Sequence, residues 1–235
     1  MENIKNNLTI IIPCKNEENY IGNLLNDICL QKHIKDVKII ISDANSTDNT
    51  LNIVNNYKNK LNIKIIKGGL PAIGRNNAAK ISKSEFILFL DSDIRLYDEK
   101  IIIKTYDKIK NENLDIITSK LNSNNLIVKL IYKINNLIIY LSKYNKPFAV
   151  GMFMMVRKKE FDRLGGFPEN SMHCEDFLLS KKFYNKKFDI INSYVYTDNR
   201  RFKKMGYIGF IKYFIKNLIN RNNNDFFKKD VNYWR

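Results

Sequence analysis

The stretch that most constrains the fold is residues 84–95, in which a short apolar run ends on two aspartates. Residues 86–90 read Phe-Ile-Leu-Phe-Leu, and Asp91-Ser92-Asp93 follows directly. A run this short and apolar is typical of a strand buried on both faces, which favours a parallel sheet. Because residues two apart in an extended chain face the same side, the two carboxylates are predicted to converge beyond the strand's end. Ligands of open α/β sheets bind at that edge.

Two converging carboxylates are hard oxygen donors, which suit Mg²⁺ or Mn²⁺ shared with a phosphate-bearing substrate. An isolated Asp-x-Asp is equally a pair of solvated acids that opens a turn. The choice between these interpretations depends on the rest of the chain.

Apolar runs and amphipathic patterns alternate along the first part of the chain. Further strands are predicted at residues 8–13, 37–41 and 63–66. Helices are predicted at residues 21–31, 51–57 and 71–82, with Ser46 or Thr47 as the N-cap of the second. Strand–helix alternation with short links indicates a doubly wound sheet.

The second half continues with mixed elements and ends in a basic tail. Predicted helices lie at residues 101–109 (with Asp98 as cap), 126–141, 158–164 and 173–183. Predicted strands lie at residues 114–119, 148–156, 188–191 and 194–196. Gly151 falls inside one of them, where a glycine permits close approach of the backbone to a ligand. Residues 206–221 are predicted to form a basic amphipathic helix.

The net charge of +16 favours an anionic partner such as nucleic acid, phospholipid or a phosphorylated substrate. Half of it lies in residues 200–235, where ten Lys/Arg stand against two Asp. This tail either packs on the domain with a solvated basic face or lies on an anionic membrane with Phe210, Phe214 and Leu218 inserted.

Three widely spaced cysteines, Cys14, Cys29 and Cys174, are expected to be reduced. The first residues lack the apolar core of a signal peptide, and no run approaches the roughly 18 apolar residues of a membrane span. We therefore expect a cytoplasmic protein, soluble or peripheral on the cytoplasmic face of a membrane.

Five sequence blocks follow one another in order along the chain. They are Thr9-Ile-Ile-Ile-Pro-Cys-Lys-Asn-Glu17, Ser42-Asp-Ala-Asn-Ser-Thr-Asp-Asn-Thr50, Gly74-Arg-Asn-Asn-Ala78, Asp91-Ser-Asp93, and Gly165-Gly-Phe-Pro-Glu169 followed by Cys174-Glu-Asp176. Together they resemble family 2 glycosyltransferases over about residues 8–185. The resemblance implies an α/β GT-A (Rossmann-like) fold, with a mostly parallel central sheet flanked by helices and a C-terminal amphipathic helical tail. Residues 1–200 would form the domain, with a nucleotide-sugar half at about 1–95 and an acceptor half at about 96–200, and residues 201–235 the tail.

The resemblance also implies donor-binding residues. Pro13, Asn16 and Glu17 would form the wall around the base and ribose, and Asp43 would accept a hydrogen bond from the base or a ribose hydroxyl. Family members often carry a second acid next, where this chain has Ala44, so the choice between a UDP- and a GDP-sugar stays open.

The diphosphate and metal would lie at the aspartate pair. Asp91 and Asp93 would hold Mn²⁺ or Mg²⁺, which neutralises the leaving diphosphate. Asp93 is the firmer ligand, and Asp91 and Ser92 are candidates for contact with the ribose or sugar. Arg75 would bind phosphate oxygens bidentately.

Asp176 is the implied general base, which takes the proton from the acceptor hydroxyl as that oxygen attacks the anomeric carbon with inversion. Glu175 would raise the proton affinity of the base or bind acceptor. Gly151, Arg200 and Arg201 are weaker candidates for binding acceptor or diphosphate. His173 is expected to be a polar surface residue.

We therefore expect the transfer of one sugar to a glycan or a polyprenyl-linked lipid. The resemblance makes a processive enzyme less expected, because processive family members carry a Gln-x-x-Arg-Trp block and none is found here. A nucleic-acid-binding protein would explain the charge but not the aspartate pair, and aromatic residues do not alternate with basic ones on a strand platform. We therefore expect no nucleic-acid partner. Two further classes stay open: a non-catalytic scaffold on the same fold, and a sugar-phosphate nucleotidyltransferase, whose glycine-rich loop after the first strand is absent here.

Overall fold

The β-branched runs of the sequence become the strands of one eight-stranded sheet in the computed structural model, which describes residues 4–229. The strands are β1 (Leu8–Cys14), β2 (Lys38–Asp43), β3 (Ile63–Lys67), β4 (Phe86–Leu90), β5 (Ile94–Arg95), β6 (Ile116–Asn122), β7 (Phe153–Arg157) and β8 (Phe188–Thr197). The helices are α1 (Ile4–Asn7), α2 (Ile21–Leu30), α3 (Thr50–Asn55), α4 (Pro71–Ile81), α5 (Ile101–Asn111), α6 (Leu126–Ser142), α7 (Lys158–Arg163), α8 (Glu175–Ser180), α9 (Arg200–Met205) and α10 (Tyr207–Ile219). Short 3₁₀ turns lie at Asn185–Lys187 and Asn224–Lys228.

The sheet is mostly parallel, as predicted. Its strand order is β3-β2-β1-β4-β7-β6-β8-β5. Strands β7 and β5 run against their neighbours, and the other strands all point the same way. The carboxyl ends of β1, β2 and β4 therefore meet at one edge, and β7 starts from that same edge because it is antiparallel to β4.

The central strands are apolar on both sides because helices cover both faces of the sheet. In β1, Ile10 and Ile12 enter one core, and Ile11, between them, enters the other. Phe89 of β4 lies in the second core, with its ring centroid 5.4 Å from that of Phe161 and 5.0 Å from that of Phe167. A continuous apolar run is thus what a strand in this position requires.

Several predicted boundaries differ from the structure. The N-cap of α3 is Asn49, because Ser46 and Thr47 instead bond to Asp43 and Asn16. The N-cap of α5 is Lys100 rather than the predicted Asp98.

The second half shows further differences. Residues 148–150 are irregular and residues 151–152 form a turn, so β7 starts only at Phe153, and α8 begins at Glu175 rather than at residue 173. The two short strands predicted at 188–191 and 194–196 are one strand, β8, which pairs with β6 across a register shift at Ser119/Lys120. An irregular pairing of this kind leaves no simple alternation in the sequence.

The basic tail helix packs on the domain. Phe202 of α9 is buried in the second core, and Tyr207 and Phe210 pack against that core. Phe210, Phe214 and Leu218 line a groove of the protein, so packing on the domain is the alternative that describes these three side chains, and contact of the tail with a membrane stays a prediction. The predicted domain boundary at residue 200 falls at the start of α9 and stays a prediction, and residues 230–235 of the tail lie outside the described part. Among residues 4–229 we find no helix with the length and apolar character needed to cross a bilayer.

Truncation of Phe89 tests the double-sided core. Phe89→Ala removes a fully buried ring from contact with two other rings, so we expect the free energy of unfolding to fall by about 3–5 kcal/mol. Leu30→Ala, at a side chain that is 62% exposed, should change it by about 0.5 kcal/mol or less. Urea denaturation of both variants measures the difference, and equal losses would contradict this account of the core.

Candidate active site

The carboxyl edge of the sheet collects most of the residues singled out in the sequence. Pro13 and Asp43 stand opposite Ser42 and Cys14 at the ends of β1 and β2. Asp91 follows β4, and its backbone N–H donates to the carbonyl of Met152, 3.2 Å away, in the turn before β7. The strand ends therefore place the predicted donor residues and the turn that holds Gly151 side by side.

Asn16 and Asp43 hold two neighbouring loops together. Asn16 adopts a left-handed backbone conformation with φ +54°, and its side-chain oxygen accepts from the Thr47 N–H at 2.8 Å. Asp43 accepts from the Ser46 hydroxyl at 2.5 Å, and that hydroxyl in turn accepts from the Asn16 N–H at 2.9 Å. Both residues are thus fixed by hydrogen bonds at the edge, while their contact with a nucleotide stays a prediction.

Arg200 brings the C-terminal region into the same edge. Its guanidinium donates to both carboxylate oxygens of Glu17, at 2.9 and 3.1 Å, and lies 2.8 Å from Oδ2 of Asp93. The ring of Tyr20 lies beneath it, with the guanidinium carbon 5.0 Å from the ring centroid. Burial raises the pKa of Glu17, and burial together with the negative charge of Asp91 raises the pKa of Asp93.

Arg75 forms a buried bridge across the site. Its side chain is 2% exposed, and its two terminal nitrogens donate to Asp91 at 2.6 Å and to Glu175 at 2.5 Å. Burial alone lowers the pKa of Arg75, but the two carboxylates outweigh it and raise that pKa, so the guanidinium stays charged. The expected bidentate grip of Arg75 on a diphosphate does not fit this geometry, because both ends of the fork are already bound to carboxylates.

Asp176, in the first turn of α8, lies against the turn before β7. Its Oδ2 accepts from the Gly151 N–H at 2.7 Å, and its Oδ1 accepts from its neighbour Phe177 N–H at 2.7 Å. A Cβ on Gly151 would lie 3.1 Å from the Asp176 carboxylate, so the close approach expected of this glycine is to the candidate base. Burial and the adjacent charge of Glu175 raise the pKa of Asp176 to about 6.

Asp91, the first member of the aspartate pair, and the candidate base share one cavity. Asp91, Glu175 and Asp176 line a cavity of about 360 Å³ that opens between α6 and α10 and also contacts Arg201. A second cleft, of about 310 Å³, lies on the other side of the edge and contains Asp93. Arg75 links Asp91 directly to Glu175, the neighbour of Asp176, whereas Asp93 faces the second cleft.

The donor set at Asp91 and Asp93 fits a divalent cation shared with phosphate. Within residues 4–229 no group of three or more His, Cys, Asp or Glu side chains is placed to hold a metal alone. Mg²⁺ and Mn²⁺ commonly bind through one or two carboxylates, with substrate oxygens completing the shell. Arg75 and Arg200 each bond to one oxygen of a different aspartate, and a cation would offset the repulsion between the negative charges of Asp91 and Asp93.

Other residues of the site were not found from the sequence. Phe167 lies against Arg75, with the guanidinium carbon 5.3 Å from its ring centroid, and Tyr20 lies against Arg200. Asn76 clamps the loop of Phe167 by bonding to both its N–H and its carbonyl. Gly166 has φ +70°, and a Cβ there would lie 2.7 Å from the Asn76 side chain, which accounts for the second glycine of the Gly-Gly pair.

His173 is the clearest error. It was expected on the surface, but it is fully buried, with its ring centroid 5.3 Å from that of Phe227 and 5.8 Å from that of Tyr213. Ser92 is buried between the two aspartates, and its predicted contact with the donor stays a prediction.

The comparison with protein families decides the class. The sequence profile described as Glycosyl transferase family 2 matches residues 9–165, which extend from the second residue of β1 to beyond β7 and include the aspartate pair. The chain belongs to glycosyl transferase family 2. The GT-A fold expected from the five sequence blocks is confirmed by solved structures of the same architecture.

Two bacterial relatives illustrate the similarity. The poly(ribitol-phosphate) beta-N-acetylglucosaminyltransferase TarS of Staphylococcus aureus is 32% identical over 192 residues, which is 75% of this chain and 32% of TarS. The poly(ribitol-phosphate) beta-glucosyltransferase of Bacillus spizizenii is 32% identical over 202 residues, which is 80% of this chain and 31% of the relative. The chain therefore spans about a third of the length of these relatives.

Solved structures give the same picture. S. aureus TarS 1-349 in complex with UDP-GlcNAc has a TM-score of 0.66 at 27% identity, covering 81% of this chain and 58% of that chain. The mannosyltransferase PcManGT of Pyrobaculum calidifontis, in complex with GDP-Man and Mn²⁺, has a TM-score of 0.67 at 17% identity, covering 80% of this chain and 56% of that chain.

Removal of the Arg75 charge tests the buried bridge. Arg75→Met leaves Asp91 and Glu175 buried without their partner, so we expect the free energy of unfolding to fall by about 3–5 kcal/mol. Adding Glu175→Gln removes one of the two unpaired buried charges and should recover part of the lost free energy of unfolding. Urea denaturation at neutral pH measures both variants, and a double variant no more stable than Arg75→Met alone would show that the charge of Glu175 is not part of the cost.

Proposed function

We propose that this family 2 protein transfers one sugar residue from a UDP-sugar to an acceptor hydroxyl, with inversion at the anomeric carbon. The observation that carries the proposal is that one cavity is lined both by Asp91, the carboxylate on the proposed diphosphate side, and by Asp176, the candidate base, whose pKa is raised. The uridine nucleotide is supported by TarS, whose structure holds UDP-GlcNAc. The acceptor is a glycan or a lipid-linked carrier, and TarS acts on poly(ribitol phosphate) by its name.

The donor binds at the carboxyl edge of β1, β2 and β4. Asn16, Glu17 and Asp43 line that edge and supply hydrogen-bond acceptors for the base and ribose. Asp91 and Asp93 would hold Mn²⁺ or Mg²⁺, and the bound ion would neutralise the charge that develops on the leaving diphosphate. Arg200 adds positive charge at the same place, since it already bonds to Glu17 and Asp93.

The transfer is a single displacement. The acceptor oxygen forms a bond to the anomeric carbon as the bond from that carbon to the diphosphate oxygen breaks, with its electron pair going to the diphosphate. The proton of the acceptor hydroxyl passes to Asp176, which Gly151 and the first turn of α8 hold in place. Attack from the side opposite the leaving group inverts the configuration, and a base poised near neutrality is the kind that proton transfer requires.

A donor screen tests this function. With Mn²⁺ present, we expect the protein to hydrolyse one UDP-sugar slowly and to release UDP, and chelation with EDTA should abolish that release. Asp93→Ala should abolish it as well, because the substitution removes one of the two carboxylates proposed to hold the metal and leaves only Asp91. Leu30→Ala serves as the matched control at an exposed site outside the edge. Release of UDP that persists in EDTA would contradict the metal-dependent form of the proposal.

The pH dependence of transfer tests the role of Asp176. Its raised pKa of about 6 means that the active carboxylate is lost as the pH falls through that value, so we expect transfer to fall about tenfold per pH unit below it. Glu175→Gln removes the adjacent negative charge, which lowers the pKa of Asp176 and should move the acid limb to lower pH. Profiles of kcat/KM against pH, with UDP binding measured at each pH, provide the comparison.

Asp176→Asn completes that test. The variant should bind UDP as the wild type does and lose transfer by about 10²–10⁴-fold. An acid limb that stays in place in Glu175→Gln, or transfer that survives in Asp176→Asn, would show that another group accepts the proton.

A further inference from the structure

Two helices expose continuous apolar rows on the side of the molecule where the cavity opens. We name these rows the α6–α10 face. It consists of Leu126, Leu130, Ile134, Leu137 and Leu141 on α6 with Ile208, Ile211, Ile215 and Ile219 on α10. The exposed fraction reaches 81% at Leu126 and 76% at Ile219. Single exposed leucines are common on protein surfaces, but continuous apolar rows are not, and such rows mark interaction sites.

The charge around the α6–α10 face has one sign. Residues 122–147 contain four Lys and no Asp or Glu, and residues 199–224 contain seven Lys or Arg and again no acid. Lys129 and Lys133 flank the leucine row of α6, and Lys212 and Lys216 lie beside the isoleucine row of α10, all of them exposed. Apolar side chains bordered by Lys and Arg are the pattern of helices that lie in the interface of an anionic membrane.

The space between the two helices leads from this face to the candidate base. Ile131 and Ile138 line it from α6, and Phe210, Phe214 and Leu218 line it from α10. The Asp176 carboxylate and the Phe177 ring line the same space. A path with such walls suits a hydrocarbon chain, whereas a free polar glycan would gain little from them.

We propose that the α6–α10 face lies on an anionic membrane surface and that the groove between the helices admits the hydrocarbon chain of a lipid-linked acceptor, whose hydroxyl reaches Asp176. The acceptor part of this inference rests on the proposed glycosyltransferase function. The membrane part rests on the face alone.

Charge separates an anionic membrane from two competing occupants of the face. A second copy of the chain would bring one strongly basic surface against another, which repels. A nucleic acid would match the charge but not the exposed leucine and isoleucine rows. An anionic lipid surface matches both, because it offers negative headgroups above an apolar layer.

Vesicle flotation tests the membrane part. With about 0.15 M salt, we expect the wild type to float with vesicles of phosphatidylcholine and phosphatidylglycerol and to stay behind with phosphatidylcholine alone. Lys212→Gln and Lys216→Gln should each weaken binding about fivefold. The pair Ile211→Glu with Ile215→Glu should abolish it. The matched control pair, Leu30→Glu with Leu70→Glu at exposed leucines outside the face, should float as the wild type does.

The groove is tested separately with dodecyl phosphate, below its micelle-forming concentration, by calorimetry. We expect the wild type to bind it, and Ile138→Trp, which fills the groove, to lose that binding while it still floats with anionic vesicles. Equal binding by the wild type and Ile138→Trp, or no binding by either, would overturn the proposal that the groove binds the hydrocarbon chain of the acceptor.

Measurements of UDP binding and UDP-sugar hydrolysis on the same preparations keep the two proposals apart. Flotation without hydrolysis of any donor would overturn the enzymatic function and leave the membrane part standing. Hydrolysis without flotation would overturn the membrane inference alone. The α6–α10 face would instead be a contact between two copies of the chain if the protein dimerised with rising concentration and the pair Ile211→Glu with Ile215→Glu removed that dimerisation. This result would also overturn the membrane inference. Circular dichroism confirms that each variant is folded.

Discussion

The site depends on one buried cation, Arg75, which joins three parts of the chain that are far apart in sequence. Helix α4 carries the guanidinium, the end of β4 supplies Asp91, and α8 supplies Glu175. Burial is the largest cause of the raised pKa of Asp176, and the charge of Glu175 adds to it because one guanidinium among the neighbouring carboxylates leaves the site negative. The same arginine thus fixes the distance between the donor side and the base and leaves the base basic enough to take a proton near neutrality.

A second cation, Arg200, explains why the C-terminal region is not a loose appendage. It bonds to Glu17, which is 183 residues earlier in the sequence, and to Asp93. Phe202, in the same short helix, is buried against Tyr132 of α6. Helix α9 is therefore anchored by charge at the donor edge and by an aromatic ring in the core, and α10 continues from it across the mouth of the cavity. The basic excess near residue 200 acts partly within the protein and only partly on its surface.

Much of the fold could be predicted from the sequence because strands buried on both faces must be apolar throughout, and the runs at β1, β2 and β4 are. The family resemblance placed Asp91 and Asp176 in one site. Other features depend on contacts that no local pattern encodes. The two-residue strand β5 exists only through its pairing with β8, and the burial of His173 depends on the rings of Tyr213 and Phe227, 40 and 54 residues away. For α10, the apolar positions predicted an amphipathic helix, but two apolar rows share it, and only the docked structure tells which row faces inward.

The two sides of the edge differ in polarity, and this difference bears on the chemistry. The cleft at Asp93 is bordered by Tyr20, Arg95 and Asp198, whereas the cavity at Asp176 is bordered mainly by aromatic and aliphatic side chains. The polar cleft suits charged groups, and a base whose pKa is raised by exclusion of water suits the apolar cavity. An apolar chain in the groove would exclude further water from the Asp176 carboxylate and raise its proton affinity again. Occupation of the groove would then strengthen the base at the moment when an acceptor hydroxyl is present, which links acceptor binding to proton transfer without any movement of the backbone.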